Sequence, residues 1–93
     1  MLKSFRDKVP YLGKNVYISE SADVIGDVTL GDDVNIWFGA VLRGDMNFIR
    51  VEARSNIQDN AVIHVTTDVS PTHIGSGVTI GHGAIIHGCT IKD

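Results

Sequence analysis

The chain has 93 residues, 43% of them hydrophobic and 20% charged, which suits one globular domain and argues against disorder. Eight Lys and Arg against eleven Asp and Glu leave a net charge of −3 with no basic cluster, so the electrostatic footprint for binding nucleic acid or an anionic membrane surface is missing. No apolar run approaches the roughly 20 residues of a membrane-spanning helix, and the charged start lacks the apolar segment of a secretory signal, so a cytoplasmic location is the default expectation.

Residues 1–15 read as a lead-in to a repeat that starts at Val16 and extends to residue 92. Ile18, Val24, Leu30, Ile36, Leu42 and Phe48 fall six apart, and two positions before each stands another apolar residue: Val16, Ala22, Val28, Val34, Ala40 and Met46. Side chains two apart in an extended strand share a face, so each hexad supplies one short strand with two inward side chains. An amphipathic helix would instead repeat at three and four. Trp37 and Phe38 are expected to pack at a corner or a subunit face, and Tyr11 and Tyr17 near the first coil. Hexapeptide repetition of this kind is the signature of a parallel β-helix.

The register then breaks twice. Between Leu42 and Ile57 the phase moves by three, with Val51, Ile57 and Ile63 carrying the new frame, and from Ile63 to Ile74 the step is 11 residues. The last frame runs through Ile74, Ile80 and Ile86. The extra residues must leave the coil, so segments 43–50 and 64–73 are expected as loops, the usual carriers of binding and chemistry.

Four histidines are many for so short a chain. His64 follows the inward Ile63 and His87 follows the inward Ile86, so both occupy the same hexad position and face outward. His82 lies two past Ile80, at a different corner. His73 has no partner in phase and is expected as an exposed loop residue, while the lone Cys89 is expected to be structural. On the residues alone, His82 and His87 also read as solvated turn histidines, and Arg43-Gly44-Asp45 as a simple loop ion pair.

The runs Val24-Ile25-Gly26-Asp27-Val28-Thr29-Leu30-Gly31, Val41-Leu42-Arg43-Gly44-Asp45, Asn56-Ile57-Gln58-Asp59-Asn60 and Gly81-His82-Gly83-Ala84-Ile85-Ile86-His87-Gly88-Cys89 closely resemble the gamma-class carbonic anhydrases of the hexapeptide-repeat superfamily. The resemblance extends from Tyr11 to the last residue. It implies an all-β, left-handed parallel β-helix with three hexads per turn, assembled as a homotrimer with metal sites between subunits. It also implies that the chain matches the N-terminal half of that fold, a C-terminally truncated solenoid. With three hexads to a turn, the 23 residues between His64 and His87 place one over the other on neighbouring coils, about 4.8 Å apart.

The family pattern carries metal-ligand roles onto His64, His82 and His87, two from one chain and one from the next. Three neutral imidazoles with an open fourth position suit catalytic zinc, and cobalt or iron as alternatives. The activity so implied is reversible hydration of carbon dioxide to bicarbonate by metal-bound hydroxide. The same pattern has Asn56 and Gln58 hydrogen-bond around the metal-bound water or bicarbonate, and Arg43, Asp45 and Asp59 form ion pairs between subunits. The family's proton-carrying acids are absent: Met46 follows the Arg-Gly-Asp run, and Val65-Thr66-Thr67 follows the first ligand, with Asp68 the only nearby acid. That absence keeps a second function in view, a catalytically weak or inactive trimeric metal-binding scaffold. Superfamily membership keeps a third, a hexapeptide-family acyltransferase.

Overall fold

The hexads fold into short strands, three to a turn, wound into a solenoid with a triangular cross-section. The computed structural model describes residues 1–93. Its strands are β1 (Leu2–Lys3), β2 (Tyr11–Leu12), β3 (Tyr17–Ile18), β4 (Asp23–Leu30), β5 (Asn35–Ile36), β6 (Val41–Val51), β7 (Asn56–Ile57), β8 (Val62–His64), β9 (Thr72–Ile74), β10 (Thr79–Ile80), β11 (Ile85–His87) and β12 (Thr90–Ile91). All strand pairings are parallel. No helix is long and apolar enough to cross a membrane.

One face of the triangle is the four-stranded sheet β10-β7-β5-β3. The other two faces form one eight-stranded sheet, because β4 and β6 pass through the corner between them without interruption. Register gives the length of each turn: Ile18 pairs with Ile36, Ile36 with Ile57 and Ile57 with Ile80, so successive turns take 18, 21 and 23 residues. β1 adds a strand beside β4, where the amino terminus and Lys3 lie against Asp23.

Inside, the hexad frame produces two columns of inward side chains on a face. Val24, Leu42 and Ile63 stack on one face and Leu30, Val51 and Ile74 on the next, all buried. β-Branched residues fit this pleated, half-buried surface. Ala22, Ala40 and Ala61 fill the narrow positions beside a corner and are completely buried.

Two corners turn through residues in the left-handed region. One uses Asn15, Asp33, Arg54 and Gly77 on successive turns, at φ of 57°, 62°, 62° and 66°; the other uses Gly39, Asn60 and Gly83 at 70°, 61° and 69°. Asn, Asp and Gly visit this region routinely, but a side chain such as Arg clashes with its own backbone there. Arg54 is exposed and makes no ion pair, so Arg54→Asn is expected to stabilise the fold by about 1 kcal/mol, read as a rise in urea midpoint at unchanged slope.

The third corner takes the extra residues. Gly26 pairs with Gly44, but Val28 pairs with Ile49, so β6 absorbs three additional residues in a register shift. Segment 43–50, expected as a loop, therefore runs within β6 as extended backbone. The inward positions of this turn are Ile49 and Val51, both buried, whereas Phe48 is only half-buried and Met46 is exposed. Counting by six past Leu42 fails at these two residues because the shift falls before them. On the following turn, residues 65–71 do leave the coil, and an antiparallel bridge between Thr66 and Ser70 pinches them closed.

Candidate metal centre

The same corner displays the histidines. Ile63 is buried beneath Leu42, so the residue after each faces outward, and His64 lies beside Arg43 of the preceding turn. His87 pairs in register with His64, and their rings stack at 5.1 Å between centroids and 24° between planes. The 23-residue spacing predicts this stack, and the pairing of β11 with β8 produces it. The neighbouring outward column on these strands is apolar: Val41, Val62 and Ile85, the last 76% exposed.

Each ring is oriented by an acceptor. His64 Nε2 donates to Asp45 Oδ1 at 2.9 Å, and His87 Nε2 donates to the Val65 carbonyl at 2.8 Å. Arg43 Nη1 donates to Asp45 Oδ2 at 3.1 Å, and the Met46 amide donates to Asp45 Oδ1 at 2.8 Å. Arg43 Nη2 lies 3.5 Å from His64 Nδ1. Burial pushes the Asp45 carboxyl up, but the hydrogen bonds from His64 and Met46 and the charges of His64 and Arg43 outweigh it and hold the group below the usual carboxylate range.

The donor chemistry fits a metal. Metal-ligating imidazoles characteristically give their second N–H to a carboxylate or a backbone carbonyl, which fixes tautomer and ring angle and leaves the other nitrogen to present a lone pair. His64 and His87 have one such acceptor each, and the lone pair of His64 Nδ1 faces Arg43 Nη2 at 3.5 Å, so the Arg43 guanidinium would have to turn aside for an ion to bind there. Two imidazoles make half of a site, and no group of three His, Cys, Asp or Glu side chains able to hold a metal occurs within the chain. His82 stands exposed at the turn between β10 and β11, away from the pair, and its ring makes no hydrogen bond.

The remaining residues singled out from the sequence are dispersed. Asn56 and Gln58 lie on or beside β7, where Gln58 Nε2 donates to Asn56 Oδ1 and Asn56 Nδ2 donates to Thr79 Oγ1 at 3.1 Å. Asp59 makes no ion pair within the chain; its carbonyl accepts from the Gly83 amide. His73, expected as a loop residue without a partner, is in β9 over Arg50, and its Nε2 lies 2.8 Å from Glu52 Oε2. The register that joins β6 and β9 brings these residues together. Cys89 is half-buried and a free thiol. Tyr17, Trp37 and Phe38 form an aromatic cluster on the first face, with centroids 5.0 Å and 5.8 Å apart.

Thr72, two residues before the inward Ile74, is a further residue of this corner. It occupies an inward position that holds Ile49 on the preceding turn, and a hydroxyl residue in the inward phase of the Ile74 frame is the sequence signal that marks it.

Residues 10–44 match the family model described as bacterial transferase hexapeptide (six repeats). The chain is 52% identical over 92 residues to gamma carbonic anhydrase 2, mitochondrial, of Arabidopsis thaliana, a match covering 94% of this chain and 33% of that protein. It is 50% identical over 82 residues to a probable carbonic anhydrase of Methanocaldococcus jannaschii, covering 88% of this chain and 51% of the relative. A crystal structure of a hexapeptide transferase family protein from Anaplasma phagocytophilum superposes with a TM-score of 0.91 at 42% identity, covering 97% of this chain and 52% of the other. The chain thus spans a third to a half of the length of these relatives.

Proposed function

Because the chain belongs to the hexapeptide-repeat, gamma-carbonic-anhydrase-like superfamily and has its left-handed parallel β-solenoid fold, we propose that it is a metal-binding scaffold whose site is shared between copies and whose hydration of carbon dioxide is slow or absent. The observation that carries this reading is the stacked pair His64 and His87, each ring oriented by its own acceptor. These two would hold a divalent ion, zinc first and cobalt or iron as alternatives, with His82 of a neighbouring copy as third ligand in a homotrimer. The outward apolar column of Val41, Val62 and Ile85 beside the pair, exposed at Val62 and Ile85, suits burial against that neighbour. The ion, when bound, supplies Lewis acidity and ionises a water near neutral pH.

The chain's own groups suit holding better than turnover. Asp45 is the one carboxylate in contact with the pair, and it is committed to Arg43, His64 and the Met46 amide, so it is a weak proton acceptor. Val65 is buried and Met46 carries no acid, and Asp68, exposed in the 65–71 excursion, makes no bond to either histidine, so no carboxylate other than Asp45 touches the pair to move a proton to water.

A second reading, reversible hydration of carbon dioxide, is favoured by the hydrogen-bonded Asn56 and Gln58 amides, which could orient bicarbonate at the shared site, and by the activity named for the Arabidopsis and Methanocaldococcus relatives. Metal content per chain and particle mass, followed by stopped-flow hydration, separate the readings. About one metal per chain in a trimer with hydration no faster than buffer is the expected result. Hydration that His64→Ala abolishes would establish the second reading instead, and a metal-free trimer would overturn both.

A further inference from the structure

Residues 65–72 do more than take up an insertion. Val65, at its start, turns its side chain into the core and offers its carbonyl to His87 Nε2. Thr72, at its end, is completely buried. Its hydroxyl donates to the His64 carbonyl at 2.6 Å and accepts from the Gly88 amide at 2.9 Å. One buried side chain therefore bonds both to the backbone of His64 and to the residue that follows His87. The Gly88 amide also reaches the His64 carbonyl, at 3.1 Å, which closes a three-membered polar knot between the two histidine strands.

The position does not need a hydroxyl for packing. Thr72 lies in the inward column next to Ile49, which in turn pairs with Val28, so the same position on the two preceding turns is a β-branched hydrocarbon. A polar group fully withdrawn from water is costly unless both its hydrogen-bonding functions are satisfied, and here they are. We propose that Thr72 is a positioning residue that locks the backbones of His64 and His87 at fixed separation, making segment 65–72 the clamp of the histidine pair. As a role toward metal, this rests on the shared-site reading above.

Thr72→Val has the same shape, and Val28 shows that the column accepts it, so the fold is expected to persist; Thr72→Ser keeps the hydroxyl. Two readouts on the full chain decide the proposal. In metal-free protein, amide exchange at Gly88 and the nuclear Overhauser contact between the two rings should both loosen in Thr72→Val and be retained in Thr72→Ser. By chelator competition, zinc(II) affinity should fall about tenfold or more in Thr72→Val and be restored in Thr72→Ser, as for loss of other groups that orient metal ligands. Unchanged exchange and ring contact in Thr72→Val overturns the proposal, as does zinc affinity within twofold of the parent. If the parent chain takes no zinc, the shared-site reading fails, and the exchange and ring data still decide the clamp.

Discussion

Replacing His64 by alanine is expected to reduce bound metal from about one per chain to under a tenth of that, measured by elemental analysis of the size-fractionated protein. The proposed site of three neutral imidazoles would lose a third of its donors with this change, and the remaining pair, His87 and the neighbouring copy's His82, would hold an ion more open to competing water. Folding is coupled to the same loss. A ligand that binds only the native state stabilises it by about 2.7 kcal/mol at a hundredfold excess over its dissociation constant, so added zinc should raise the melting temperature of the parent chain and leave that of His64→Ala unmoved. His73→Ala is the matched control. That imidazole is paired with Glu52 on a different face, so its removal should leave both metal content and the zinc-dependent shift intact.

Gly26→Ala is expected to be the most damaging single methyl addition in the chain, at about 3 kcal/mol or more, read from the midpoint of urea unfolding. Gly26 has φ of +78°, where a Cβ meets its own backbone, and the added carbon would press directly on the carbonyl oxygen of Gly44 on the next turn. The obstruction is backbone on both sides: a Cβ on Gly44 would lie 2.6 Å from the Asp27 carbonyl oxygen. Neither strand can retreat, because both are fixed in the continuous sheet of β4 and β6. Gly81→Ala provides the contrast. Its φ is not in the left-handed region and nothing lies within 4 Å of the added carbon, so the change should be neutral or slightly stabilising through the unfolded chain.

The period of six was legible because it is a direct image of strand geometry: Val24, Leu30, Ile36 and Leu42 are buried where the count places them. The stacking of His87 on His64 was legible for the same reason, once three hexads were taken to make a turn. Past Leu42 the count runs on to Met46 and Phe48, both apolar, and polarity alone cannot tell an insertion from another hexad. The three extra residues of this turn predict a loop over 43–50, yet a register shift takes them up within β6 as extended backbone, which counting along the sequence does not distinguish from an excursion. The Asp45 contact with His64 was hidden for a different reason. The two residues are 19 apart in sequence, and their meeting depends on how the register shift after Gly44 turns the strand. The pairing of His73 with Glu52 was hidden likewise, since it needs two insertions of unequal length to end in common register.

Both insertions enter and leave the solenoid at the same corner, between Gly44 and Ile49 on one turn and between His64 and Thr72 on the next. The inward columns above and below continue undisturbed, so chain length at this corner is uncoupled from the packing of the interior. Additions and deletions there are filtered by what they do to the outer surface and hardly by what they do to stability. The histidine pair stands at that corner. A lineage carrying this fold can therefore remodel the surroundings of the histidine pair by changing loop length between Val65 and Thr72, provided those two ends, which hold the histidine strands, are kept.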